Sequence, residues 1–146
     1  MSGHVIEPAT PGDAPAMLDL LVASGLPTTG LREDVACAFV ARRSGHVVGL
    51  AALEVYEDAA LLRSVAVDQG DRGSGVARLL VERALAEAIA RDLPAVYLLT
   101  TTAERYFPRF GFGIVPRDSV PTSVRQSIAF RSACPASATV MRKTLR

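Results

Sequence analysis

The chain has no tryptophan, two cysteines, two histidines and a formal net charge of only +1 across 146 residues. Each shortage removes a class of function. Near-neutral charge leaves no electrostatic footprint for a nucleic-acid backbone or an anionic membrane surface. Cys37 and Cys134 stand far apart in sequence, and with His4 and His46 they form none of the close spacings of a zinc site. No metal is therefore expected, and so few thiols point to a reducing compartment, the cytoplasm. No apolar run reaches the roughly 20 residues that cross a bilayer, and the N-terminus has neither the basic nor the apolar part of a secretion signal. Internal repeats and low-complexity stretches are also missing. What is present, 49% hydrophobic and 21% charged residues, describes one soluble domain over residues 1–146 that can bury its own core without staples.

Periodicity divides the chain into alternating strands and helices. His4–Glu7 reads as a first strand. A helix follows, with Ala14, Met17, Leu18, Leu21 and Val22 on one buried face. Thr10 or Asp13 could cap it, Asp13 better because Pro15 then falls in the first turn. Gly25 and Pro27 close this helix, and residues 28–35 read as a loop with a short helical turn. Three meander strands come next: Cys37–Arg42, His46–Tyr56 and Ala60–Val67, joined by turns at Arg43-Ser44-Gly45 and Glu57-Asp58. The helix Gly75–Arg91 places Ala77, Leu80, Val81, Ala84, Leu85 and Ala88 on its inner face. Ala95–Leu99 is an apolar run typical of a strand buried on both faces. Thr102–Phe110 reads as a short helix, with strands at Phe112–Val115 and Val140–Thr144. Residues 116–138 are the least regular, with a helical turn near Thr122–Gln126.

Residues 61–80 carry the most information. An apolar strand enters a polar turn, and the turn opens a helix with Arg72, Gly73, Ser74, Gly75, Val76 and Ala77 at its mouth. Glycine allows left-handed backbone and close approach of a ligand. The first N–H groups of a helix lack partners within it, and its dipole favours negative charge there. With Arg72 added, the pattern R-x-x-G-x-A describes a cradle for a pyrophosphate; the alternative is a glycine-rich turn with no ligand. A P-loop is excluded because no Gly-Lys-Ser/Thr stands at the helix mouth. A dinucleotide fingerprint is excluded because Arg78 occupies the place of its third glycine.

The loop, following Leu62, Val65, Ala66 and Val67 in the pattern L-x-x-V-A-V, resembles the pyrophosphate loop of the GNAT superfamily of N-acetyltransferases. The order β-α-(α)-β-β-β-α-β-α-β-β matches that family over nearly the whole chain. The resemblance implies a mixed α/β fold, with a central sheet of about six or seven strands and about four flanking helices. The sheet would splay between its fourth and fifth strands, here Ala60–Val67 and Ala95–Leu99, although pairing throughout stays open. Acetyl-CoA would be the cosubstrate, held by Val65, Ala66, Val67, Arg72, Gly73, Ser74, Gly75, Val76, Ala77, Arg78 and Thr101. Its pantetheine arm would lie in the splay on backbone groups of Val65 and Val67. Two copies would pair through the C-terminal strands.

Acetyl transfer needs a group to take the amine's proton, stabilisation of the developing oxyanion, and help for the departing thiolate. Many family members supply a tyrosine within f-Y-e-k-x-G-F. This chain reads Tyr106-Phe107-Pro108-Arg109-Phe110-Gly111-Phe112, so Phe107 takes the tyrosine position. Tyr106 stands one residue earlier, about 100° round a helix, and is either the acid or a tyrosine packed on the sheet. Glu54 and Tyr56 share one face of their strand. Glu54, the carboxylate inside that apolar stretch, is the candidate base, because desolvation would raise its pKa. Its alternative role is as ion-pair partner of Arg63, which in turn could hold an acceptor carboxylate. Thr100 or Thr101 could bond pantetheine or acceptor, and Thr102 is placed to cap the next helix.

The segments Leu53–Tyr56, Leu62–Val67, Leu98–Arg105 and Phe130–Ala138 resemble a bacterial branch of the family found with arsenic-resistance genes, which shares the phenylalanine. A single accessible thiol, Cys134, makes a poor arsenic(III) site. The acceptor implied is a small-molecule amine, an amino-acid-like toxin among the candidates. The alternatives are a protein or peptide acceptor, or a module that binds acetyl-CoA without transfer.

Overall fold

Two tight turns cut the apolar stretch between Ala36 and Val67 into three antiparallel strands: β2 (Ala36–Arg43), β3 (His46–Val55) and β4 (Ala60–Val67). Ser44 and Gly45, at φ 53° and 82°, give the first turn the left-handed backbone that a two-residue hairpin requires. This computed structural model describes residues 3–26, 36–101, 103–126 and 138–145. Among them, β1 (Val5–Pro8), β5 (Ala95–Thr100), β6 (Gly113–Ile114) and β7 (Thr139–Thr144) complete a seven-stranded sheet of order β1-β2-β3-β4-β5-β7-β6. Every pairing is antiparallel except β4 with β5. No helix among the described residues is long and apolar enough to cross a membrane.

Helices cover both faces. α2 (Val76–Ala90) buries Leu80, Val81, Ala84, Leu85 and Ala88 against Phe39, Leu53, Leu62 and Leu98. On the other face α1 (Ala14–Ala23) packs Met17, Leu20 and Leu21 on Val40, Leu50 and Ala66. Beside it, the short α3 (Thr122–Arg125) seats Val124 against a cluster with Leu61, Tyr97 and Val140. The expected face of α1 is therefore corrected: Leu20 turns inward, while Leu18 and Val22 are 44% and 70% exposed. Two apolar rows wind round this helix, and tertiary packing selects the row at 17, 20 and 21.

Asp13 stands at the N-cap of α1 but makes no capping hydrogen bond. Its carboxylate accepts from both terminal nitrogens of Arg42, at 2.9 and 2.8 Å, and from the Thr10 N–H at 2.8 Å. It thus ties the start of α1 to β2 rather than to the helix's own N–H groups. The helix expected over 102–110 is also corrected. Turns from Glu104 lead into a single 3₁₀ turn, Phe107–Phe110, ended by Gly111 at φ 93°. Pro108 sits near the start of this turn and removes a backbone donor. The loop expected at 28–35, the capping role of Thr102 and Cys134 lie outside the described residues.

One feature of the sheet positions the site. β4 pairs with β5 only at Ala60–Val96 and Leu61–Tyr97; past these residues the two strands separate. On its other edge β4 slips register against β3 between Leu50 and Ala52, so Ser64 and Val65 together oppose Ala51. Ser64 takes φ 61° in this bulge, and bulges bend a strand and increase its twist. The bulge lies three residues past the last β4–β5 pair, on the stretch of β4 that borders the resulting gap in the sheet.

Candidate active site

Beyond Val67 the chain makes a 3₁₀ turn, Gln69–Asp71, and then the glycine loop. Gly73 and Gly75 adopt φ 81° and 87°, and a Cβ on either would meet nothing within 4 Å. These positions need glycine for backbone angle, not for space. Gly75 is the N-cap of α2 and no side chain caps that helix, so its first N–H groups are left for an external acceptor. Arg72 is fixed by its Nε–H, which donates to the Val67 carbonyl at 3.0 Å. That carbonyl faces away from β3: the adjacent Asp68 N–H bonds the Val48 carbonyl at 2.7 Å. Alternation along the strand then turns the backbone groups of Val67 and Val65 toward the gap.

A buried carboxylate holds the loop from beneath. Asp71, 4% exposed, accepts from Arg43 at 2.7 and 3.1 Å and contacts His4 Nε2 at 3.1 Å. Hydrogen bonds from Arg43, then from His4, outweigh desolvation and pull its pKa down to about 2. Ser74 Oγ donates back to the Asp71 carbonyl, so this side chain braces the turn.

The loop forms one wall of a cleft of about 450 Å³. Val67, Arg72, Gly73, Gly75, Val76, Ala77 and Arg78 line it, with Asp71 at its floor. Tyr106 and Arg109, from the turn after β5, line it as well. Four residues expected to hold the cofactor, Ser74, Thr101, Val65 and Ala66, are not among those lining this cleft. Ser74 braces the loop, Thr101 is exposed, Val65 packs half-buried on the core, and Ala66 pairs with Leu50 beneath α1. Thr100 Oγ1 accepts the Ala103 N–H at 2.9 Å, which closes the turn after β5.

Tyr106 is thus brought to the loop end of the cleft. The Arg109 guanidinium carbon lies 4.3 Å from the centre of its ring, and burial pushes the phenol pKa up against the opposing pull of Arg109 and Arg78. Phe107 is buried in an aromatic cluster, its ring centre 5.8 Å from that of Phe112. Sequence reading passed over Arg109, although it falls on the basic position of f-Y-e-k-x-G-F.

A second constellation lies on the opposite face of the sheet from α2. Glu54 and Arg63, with side chains 2% and 7% exposed, form an ion pair at 2.9 Å. The Tyr56 hydroxyl donates to the other Glu54 oxygen, and Arg63 Nε donates to Ser64 Oγ at 3.2 Å. The pairing of Glu54 with Arg63 open in the sequence is the arrangement found, with Tyr56 as third member.

The family model described as "Acetyltransferase (GNAT) domain" matches residues 34–114, from β2 through the loop and α2 to β6. The chain belongs to the GNAT acetyltransferase family. An uncharacterized N-acetyltransferase of Chlorobaculum tepidum is 32% identical over 93 residues, which cover 63% of this chain and 59% of that protein. This GNAT domain also superposes on solved structures of low identity. N-acetylglutamate synthase from Neisseria gonorrhoeae, complexed with coenzyme A and N-acetyl-glutamate, gives a TM-score of 0.82 at 19% identity, over 98% of this chain and 35% of that one. A Mycobacterium tuberculosis protein in complex with CoA gives 0.77 at 24% identity over 97% and 99%. A GNAT family acetyltransferase from Elizabethkingia anophelis with acetyl-CoA bound gives 0.70 at 14% identity over 99% and 100%. These likenesses establish the fold. The donor set fits a diphosphate ester: an uncapped helix N-terminus, two arginines beside it, and a gap edged by backbone groups. Among the described residues no three His, Cys, Asp or Glu side chains gather as metal ligands would.

Proposed function

We propose that this domain transfers the acetyl group of acetyl-CoA to the amine of a small molecule. The observation that carries the reading is the uncapped N-terminus of α2, opening with Arg72 and Arg78 into a cleft at the edge of the β4–β5 gap. The thioester supplies an activated acyl carbonyl. The helix N–H groups and the two arginines hold the diphosphate, and the backbone groups of Val65 and Val67 hold the amide-bearing arm. Held there, a thioester and an amine meet without the entropy cost of free encounter. The C–N bond forms as the C–S bond breaks; the amine's proton passes to Glu54, and the thiolate leaves to be protonated by water.

Arg63 and Tyr56 position Glu54 for this role. Tyr106 belongs to the cofactor side of the site in this reading, since it lines the cleft with the loop and carries the Arg109 guanidinium against its ring. Thr100 and Thr101, at the end of β5, stand at the mouth of the gap. Near-complete burial of Glu54 and Arg63 favours a small acceptor over a protein tail. Phe107 in place of the usual tyrosine favours a second reading, a domain that binds acetyl-CoA without transfer.

Release of free thiol from acetyl-CoA tests both. The amines offered are amino acids with their phosphorus and arsenic analogues, the arsenic ones because of the sequence segments noted above. Saturable turnover with one class, abolished by Glu54→Gln while CoA still binds, is the expected result. Tight CoA binding with no turnover for any amine would favour the second reading.

A further inference from the structure

The cleft holds more positive charge than a diphosphate requires, and the charge comes from two separate elements. Arg72 and Arg78 stand on the loop and on the first turn of α2, beside the uncapped N–H groups. Asp71 at the floor adds no net repulsion, since Arg43 and His4 engage its carboxylate. Arg109 comes from the 3₁₀ turn after β5, a different element. Two contacts fix it: Nε–H donates to the Tyr106 carbonyl at 2.8 Å, and the guanidinium lies 4.3 Å from the Tyr106 ring centre. With Nε engaged, the two terminal nitrogens remain as a fork, and among the described residues no carboxylate pairs with them. An exposed arginine held this rigidly loses little side-chain entropy on meeting an anion. A guanidinium fork suits a phosphate monoester, which carries about −1.5 to −2 charge at neutral pH.

Coenzyme A presents two anionic groups of just these kinds, an internal diphosphate and a terminal 3′-phosphate monoester. We propose that Arg109, stacked on Tyr106, binds the 3′-phosphate and makes the domain selective for CoA over dephospho-CoA. The inference rests on the reading that this cleft holds CoA. It gives Tyr106 a function as the platform that aims Arg109.

Titration calorimetry of the whole chain with CoA, dephospho-CoA and adenosine 3′,5′-bisphosphate tests it. The unmodified protein is expected to bind CoA about ten- to thirtyfold more tightly than dephospho-CoA, the scale of a charged hydrogen-bonded contact. Arg109→Met, which keeps an apolar stem on the Tyr106 ring, should remove that preference by weakening CoA alone. Arg109→Lys should restore part of it, and adenosine 3′,5′-bisphosphate should compete with CoA only where residue 109 is cationic. Because Arg109 is at the surface, circular dichroism should show all three proteins equally folded. Equal binding of CoA and dephospho-CoA by the unmodified protein would overturn the proposal while leaving the CoA site standing. So would an Arg109→Met variant that loses both ligands alike, since Arg109 would then serve the diphosphate. Failure of both CoA and dephospho-CoA to bind at millimolar concentration would overturn both this proposal and the reading beneath it.

Discussion

Replacing Arg63 by methionine removes the cation from a pair whose side chains are 7% and 2% exposed, while keeping most of the buried stem. Glu54 would then keep the Tyr56 hydroxyl but lose its charged partner in a largely buried setting. Breaking a buried ion pair in this way costs about 3–5 kcal/mol, most of it the penalty of an uncompensated charge. For a domain of this size that is a fall in Tm of roughly 10–15 °C. Removing both charges in Glu54→Gln/Arg63→Met should cost about 1–2 kcal/mol, because neither ion is then stranded. The double variant should therefore be more stable than Arg63→Met alone by about 2–3 kcal/mol, and the coupling in the cycle should exceed that difference by whatever Glu54→Gln alone costs in stranding Arg63. Urea unfolding of the four proteins measures this directly from midpoint and slope. A loss below about 1 kcal/mol for Arg63→Met, or simple additivity in the cycle, would refute the claim that these side chains form one buried electrostatic unit.

Gly75→Ala places a Cβ in open space at φ 87°, so its cost of about 1–2 kcal/mol is backbone strain alone; calorimetry should show CoA affinity falling about tenfold as the helix mouth shifts. Asp13 and Asp71 have native pKa values of about 2 against the ordinary 3.8. Because folding depresses these values, the stabilisation is full above about pH 4 and is lost as pH falls toward 2. Asp71→Asn should make the acid-unfolding profile shallower in that window, as followed by fluorescence or circular dichroism. Phe107→Tyr puts a hydroxyl into an aromatic cluster at 7% exposure, and should destabilise by about 1–3 kcal/mol. Its thiol-release rate should stay within about threefold of the parent, because a hydroxyl packed in that cluster does not reach the sulfur; a hundredfold gain would show that it does.

Most of this architecture was legible because local pattern and tertiary role agree. The meander strands, α2 and the glycine loop each carry their own signal: alternation, a helical apolar face, and glycines where φ is positive. The gap in the sheet was readable only through resemblance. No residue of β4 announces that pairing with β5 stops after Leu61, and the bulge at Ser64 has no glycine to mark it. The inner face of α1 was misread because Leu18 and Val22 are as apolar as Leu20, and only the sheet beneath decides between the rows. Asp13 looked like a cap because its partner, Arg42, is distant in sequence. Similarly, Asp71 reads as a loop aspartate until His4 and Arg43 are seen around it. Arg109 reads as one more surface arginine in the sequence, because its stacking on Tyr106 and its place in the cleft exist only in the folded chain. Long-range pairs set the chemistry here, and they are the part a one-dimensional reading sees least.

Acetyl transfer by this domain requires that the cleft at the α2 N-terminus, lined also by Tyr106 and Arg109, hold acetyl-CoA. The measurement that tests this most directly is calorimetric titration of acetyl-CoA, followed by thiol release from the same sample on adding amines. The prediction is saturable binding at one site per chain and an amine-dependent release of thiol. Absence of binding at millimolar acetyl-CoA, with no thiol released for any amine, would contradict it.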